Sequence, residues 1–173
     1  MNEIEAVAVL TNTTIPSIKG VIYFREDLKN DKVIIYADII GMPPGKHGFH
    51  IHQAGDLTDN CTSACEHFNP YEMTHGGPKD MVRHVGDLGN LVVKNGKIND
   101  RFTDHLIKLR GTDSIIGRSV VIHKLKDDLG RGGLNKRGEI IDLERYQESL
   151  KTGNAGARIA CGVIGYSKNM FKC

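Results

Sequence analysis

The sequence predicts an all-β protein of eight antiparallel strands, interrupted by two long loops that carry its chemistry. Three observations predict this. Apolar residues alternate with period two in short runs bounded by turn residues. The 20 glycines among 173 residues suit a turn-rich chain. No convincing amphipathic helix separates the runs, which argues for antiparallel pairing in a sandwich or barrel. A chain of this length suits one domain, taken here as residues 1–173.

Residues 5–10, 20–25, 32–39 and 45–52 read as four successive strands. Residues 89–94 and 97–103 flank Asn95-Gly96, a hairpin signal because both positions tolerate positive φ. Residues 115–124 and 158–166 complete the set. Two segments break the rhythm: 53–88, rich in His, Asp, Gly and Pro, and 125–156, charged and Gly-rich. Loops this long inside a compact domain are functional or disordered. Within the second, 139–151 is expected to form a short helix, with Ile140, Leu143 and Gln147, or Tyr146 and Leu150, at helical spacing.

The formal charge of +2 gives no global case for binding nucleic acid or a membrane. No stretch reaches the roughly 20 apolar residues needed to span a bilayer. The segment from Met1 to Ala6 carries Glu3 and Glu5 and lacks the basic-then-apolar order of a signal peptide, so a cytoplasmic location is the expectation. Four cysteines in that compartment would ordinarily be free thiols, metal ligands or redox sites.

The eight histidines carry most of the information. His50 and His52 sit two apart on a predicted strand, so both imidazoles project from one face. His123 ends another strand, and three strand nitrogens suit copper. His67, His75 and His84 come from the first long loop, with Asp87 three residues after His84; three imidazoles and a carboxylate make a closed set suited to zinc. Taken singly, a His-x-His pair is ordinarily a surface feature, a loop histidine is ordinarily solvated, and Asp87 before Leu88-Gly89 could be a turn residue. Taken together they point to a metal site, without naming the metal or the reaction.

Over nearly its whole length the chain resembles the copper/zinc superoxide dismutases. The matching segments are Gly48-Phe49-His50-Ile51-His52, His67-Phe68-Asn69-Pro70, His75-Gly76-Gly77-Pro78-Lys79-Asp80 and Arg83-His84-Val85-Gly86-Asp87-Leu88-Gly89-Asn90. They continue through Ile116-Gly117-Arg118, Val121-Ile122-His123, Asp127-Asp128-Leu129-Gly130, Gly153-Asn154-Ala155-Gly156-Ala157-Arg158 and Ala160-Cys161-Gly162-Val163-Ile164-Gly165. The resemblance implies an eight-stranded Greek-key barrel that converts superoxide to oxygen and peroxide. It implies that His50, His52, His67 and His123 bind a copper ion and that His67, His75, His84 and Asp87 bind a zinc ion, with His67 shared. It implies that Arg158, an arginine that stays charged at any working pH, pairs with the anion. It also implies that Asp127 fixes one histidine on each side, that His47 is structural, and that Cys61 and Cys161 form a disulfide. His105 matches nothing and is expected at the surface.

The resemblance further implies a homodimer, through Val7, Val9, Gly55, Ile116 and Gly117, and a copper chaperone as a partner. Tyr166 replaces a smaller apolar residue at that interface. Cys65 stands where the family has a small residue and is expected as a buried thiol, with rivalry for Cys161 as the alternative; Cys173 is expected as an exposed free thiol. Residues 134–148 exceed the family's usual loop and rearrange charge near the substrate's approach, while Lys151 and Thr152 still match the steering region. A noncatalytic relative should lack copper ligands or the arginine, and this chain keeps them. A dizinc hydrolase would need a bridging carboxylate or general base that is not evident.

Overall fold

The computed structural model describes residues 3–171, so the expectation for Cys173 lies outside the described residues. Among those residues the strands are β1 (Glu5–Val9), β2 (Asn12–Thr13), β3 (Lys19–Asp27), β4 (Lys32–Ile40), β5 (Gly45–His52), β6 (Asp87–Val93), β7 (Lys97–Asp104), β8 (Ser119–His123) and β9 (Arg158–Tyr166). A single α-helix, α1 (Leu143–Thr152), lies in the last long loop. Eight strands pair in the order β6-β5-β8-β9-β1-β3-β4-β7, and the two-residue β2 adds to β9. The pairings are antiparallel. β4 therefore leads across one end of the barrel to β5 instead of to its neighbour β7, a Greek-key connection. β6 and β7 end the order and lie close together, so the barrel is nearly closed.

Period-two patterning explains the wall. In β4, Val33, Ile35, Ala37 and Ile39 are buried and pack with Ile22, Phe24, Phe49, Leu91, Ile98 and Ile164. β5 and β8 differ, because in them both faces are buried from His47 to His52 and from Ser119 to His123. Phe49, Ile51, Val120 and Ile122 fill the barrel. The alternate residues His50, His52, Val121 and His123 point outward and are covered by the two long loops. The site thus sits on the outer wall of the barrel.

Most strand ends fall within one or two residues of the sequence expectation, and the larger differences have local reasons. The Asn95-Gly96 turn forms with φ of 52° and 72°, but only Lys94 and Lys97 pair beside it. Beyond that pair β6 turns to β5 and β7 to β4. The strand expected from residue 115 begins at Ser119, since Arg118 N closes a turn onto Ile115 O and Gly117 adopts φ +81°. β2 was not expected, being only two residues long. The helix begins at Leu143 because Asp142 caps it, its side chain accepting from Arg145 N; residues 139–142 stay in the loop.

That helix does not dock by an apolar stripe. Ile140, Ile141 and Leu143 are exposed, and its buried residue is Ser149. Ser149 Oγ donates to Asp128 Oδ1 and accepts from Gly132 N. Leu150 O accepts from His75 N at 2.7 Å, tying the helix to the first long loop. The first loop is held in turn by a buried ion pair between Arg83 and Asp104 of β7, with Arg83 Nη1 also donating to Asp87 O at 2.8 Å. A disulfide joins Cys61 to Cys161 of β9, closing 100 residues of sequence. No helix among the described residues is long and apolar enough to cross a membrane.

Candidate metal centre

Each expected histidine reaches the site from the element that carries it. His50 and His52 share the outer face of β5, His123 ends β8, and His67, His75 and His84 descend from the loop between β5 and β6. Asp87 opens β6. All seven are buried, and the His67 ring lies 4.0 Å from that of His50 and 5.4 Å from that of His84. Potential ligand atoms of His50, His52, His67 and His123 fall within 4.8 Å of one another, as do those of His50, His67, His75 and Asp87. His84 joins the second cluster through Nδ1, 3.1 Å from Asp87 Oδ1 and 3.4 Å from His67 Nδ1. His50 and His67 therefore stand between two adjacent groups.

The outward nitrogens are fixed by acceptors. His52 Nδ1 donates to Cys65 O at 2.7 Å and His123 Nδ1 to Gly156 O at 2.9 Å. Asp127 accepts from His50 Nε2 at 3.0 Å through Oδ2 and from His75 Nε2 at 2.8 Å through Oδ1. With those protons so placed, the inward nitrogens present lone pairs. His52 Nε2 and His123 Nε2 then face each other at 3.3 Å. Two acceptors cannot satisfy one another. His50 Nδ1 and His75 Nδ1 are buried without a hydrogen-bond partner, although His75 Nδ1 lies 3.0 Å from Asp87 Oδ1. Converging buried lone pairs of this kind call for a cation.

The second cluster passes a sharper test. His67, His75 and His84 place Nδ1 at 2.9, 3.0 and 3.1 Å from the same Asp87 oxygen. A tetrahedron with bonds of about 2.0 Å has edges of about 3.3 Å, so these donors fit around one zinc ion. On the other side, three nitrogens plus the second nitrogen of His67 form the all-imidazole set that copper accepts.

Electrostatics separates the two halves. Burial pushes the His50 and His52 cations well below the ordinary imidazole range, and burial holds His123 at about 4. These rings stay neutral and ready to bind metal. His75 is opposite: burial disfavours its cation, but its hydrogen bond to Asp127 and the close Asp87 carboxylate outweigh it and raise it to about 9. Burial also opposes ionisation of Asp87, yet hydrogen bonds from His67 and His84 and the close approach of His75 hold its carboxyl well below the usual range. The carboxylate therefore supplies negative charge to one side only.

A channel opens onto the four-histidine side, lined by His52, His67, His123, Thr152, Asn154 and Arg158 among others, with a cavity of about 360 Å³. Arg158 Nη1 donates to Cys61 O at 2.8 Å and Thr62 O at 3.1 Å. The disulfide thus anchors the loop that orients the arginine. Lys151 lines the neighbouring depression beside His84 instead of this channel. Gly153, at φ +65°, packs where a β-carbon would run into Asp127 Oδ1 and His75 Nε2, so glycine is required there. His47 is buried, bonded to His123 O at 2.9 Å and Pro43 O at 3.1 Å, and His105 is exposed.

Cys65 corrects one expectation, for its thiol is exposed, not buried, and Cys161 is bonded to Cys61. Its backbone has φ 64° and ψ −154°, a region essentially reserved for glycine. The strain lets its carbonyl reach His52. Cys65→Gly should keep that bond and stabilise the fold by about 1 kcal/mol, the relief of about 1–3 kcal/mol of strain offset by added freedom in the unfolded chain. Urea unfolding checks this: the midpoint should rise with an unchanged slope, and an unmoved midpoint would mean the backbone is unstrained.

A Greek-key barrel with adjacent four-histidine and three-histidine-one-carboxylate clusters defines a protein built to hold two metal ions side by side. A sequence profile of the copper/zinc superoxide dismutases matches residues 18–164. The chain is 52% identical over 170 residues to a Cu-Zn superoxide dismutase of Paramecium bursaria Chlorella virus 1, covering 97% of this chain and 81% of that one. It is 48% identical to an extracellular Cu-Zn superoxide dismutase of Onchocerca volvulus, covering 92% and 75%. The crystal structure of the clock protein EA4 superposes with a TM-score of 0.84 at 42% identity, covering 96% of this chain and 97% of that one. The chain belongs to the copper/zinc superoxide dismutase family. It is an oxidoreductase whose cofactors are copper and zinc and whose reaction is the dismutation of superoxide.

Proposed function

We propose that His50, His52, His67 and His123 hold the copper ion and that His67, His75, His84 and Asp87 hold the zinc ion, within one domain spanning the chain. The single observation that carries this reading is the position of His67. Its Nδ1 shares Asp87 with His75 and His84, while its ring lies tilted against His50 at 4.0 Å and edge-on to His52 and His123 at 5.0 and 6.0 Å. His50, which neighbours both groups, falls to the copper side because only there does an all-imidazole set form with His52 and His123. His84→Ala should leave copper binding and remove most zinc, measured as metal per chain by mass spectrometry; retained zinc would displace His84 from the set.

Bound copper supplies a one-electron cycle between two oxidation states, and bound zinc a fixed positive charge. The residues do the rest. Arg158 presents a guanidinium in the channel and pairs with the incoming anion, held there by the carbonyls of Cys61 and Thr62. His67 alternates between an unprotonated and a protonated Nε2, and passes that proton to the anion being reduced to peroxide. Its Nδ1 is kept in place by the second cluster throughout. Asp127 holds His50 and His75 in one tautomer each, so neither ring can turn away. Two superoxide anions and two protons thereby become one oxygen molecule and one hydrogen peroxide.

Arg158→Glu reverses the channel's cationic charge and should lower the second-order rate constant with superoxide by about tenfold at low salt. An unchanged constant would take Arg158 out of the mechanism.

The assembly proposed is a homodimer. Val9, Val163 and Tyr166 are about half exposed on adjoining strands, and Gly55 lies against Gly117 O, which gives a small apolar face near the expected contact residues. A cytoplasmic setting, with copper delivered by a chaperone, is the proposed context.

A further inference from the structure

The mouth of the channel carries a charge that neither ligand set uses. Glu66, one residue before His67, lines the opening shared by His52, His123 and Arg158, and also the adjacent depression that holds Lys151. Its backbone is fixed, for its carbonyl accepts from Gln53 N at 2.9 Å and the next residue bridges to His52. Its side chain is exposed. Among the described residues, no hydrogen bond or ion pair engages its carboxylate. Glu148, the other acid at this opening, differs: its carboxylate accepts from Thr152 Oγ1 at 2.7 Å. Arg158 directs Nη1 to backbone carbonyls, so it does not neutralise Glu66 by a direct pair.

We propose that Glu66 is a charge gate at the channel mouth, a negative charge on a held backbone that slows entry of the superoxide anion and speeds entry of a metal cation. It touches no reacting atom; it sets how often ions of each sign arrive. The inference rests on reading this opening as the superoxide channel. A single exposed charge beside an ion's path changes capture by about two- to threefold at low ionic strength, and the effect fades as the Debye length shrinks from about 30 Å at 0.01 M to about 3 Å at 1 M. An ordinary surface glutamate, away from the path, would move neither rate.

The test compares wild type, Glu66→Gln and Glu66→Asp at about 0.01 M and about 0.5 M ionic strength. Two rates are read: superoxide disappearance per bound copper in the fully metallated enzyme, and uptake of aqueous Cu(II) by zinc-loaded, copper-free protein. Glu66→Gln should raise the first by about two- to threefold and lower the second by a similar factor at low salt, with both differences gone at high salt. Glu66→Asp, which keeps the charge, should stay near wild type in both. Rates that move in the same direction, that do not move, or whose differences survive high salt would overturn the gate. If wild-type enzyme failed to remove superoxide, the channel reading would fall instead, and the copper-uptake arm would still judge the gate.

Discussion

His123→Ala should abolish superoxide removal, down to the level of copper-free protein, while leaving zinc bound. The reason lies in how little the two clusters share. His123 reaches the site from the end of β8, with Nδ1 bonded to Gly156 O and Nε2 facing His52. It makes no bond to Asp87, His75 or His84. Removing it leaves three imidazoles on one side and opens that side to water, whereas the donors around Asp87 keep their distances. The change is confined to one ligand because His47, which bonds to the backbone oxygen of residue 123, keeps its acceptor in the variant. Metal analysis alongside a superoxide-decay assay checks both halves. Activity that persisted would refute the copper assignment, and loss of zinc as well would mean the clusters are not separable as described.

Asp127→Asn should weaken binding of both ions, each by about 10- to 100-fold, the usual effect of losing a partner that orients a metal ligand. Asp127 is fully buried and its two oxygens serve one histidine from each cluster. Oδ1 also accepts from Leu129 N at 2.7 Å, and the backbone is clamped by Asn90 through its side chain. Asparagine has the same shape but only one accepting oxygen. Its amide must therefore point N–H groups at either His50 or His75, where an N–H already stands, or that ring must change tautomer and lose its inward lone pair. Competition titrations with copper and zinc chelators read the two affinities separately. Unchanged affinities would show that the carboxylate is only a structural filler of the loop junction.

The strands were legible because burial on one face of the barrel wall imposes period two, as in Val33, Ile35, Ala37 and Ile39. The helix was legible as a helix but not in its docking. Ile140 and Leu143 stand at helical spacing yet face solvent, because the loop is anchored through Ser149, Asp128 and the Leu150 carbonyl. The exposure of Cys65 is illegible for a related reason: a thiol's hydrophobicity says nothing about a backbone forced into a glycine-type conformation.

Among the site residues, the spacing of His50 and His52 put both on one face, but the spacing could not say that His67 would fall between them and Asp87. That depends on the route of the first long loop, pinned by Arg83–Asp104 and by the disulfide. Family motifs carried those assignments where periodicity was silent. The carbonyls of Cys65 and Gly156, which set two tautomers, had no signal in the sequence at all, since any residue offers a backbone oxygen. Glu66 was equally unmarked, lying between the motifs.

The most direct measurement is the superoxide-decay rate of one preparation followed through selective copper withdrawal and return, with zinc kept in place. Decay should fall to the uncatalysed rate when copper leaves and recover in proportion to copper restored, reaching its maximum at about one copper and one zinc per chain. Decay indifferent to copper, or a maximum reached without both metals seated, would contradict the paired-ion centre.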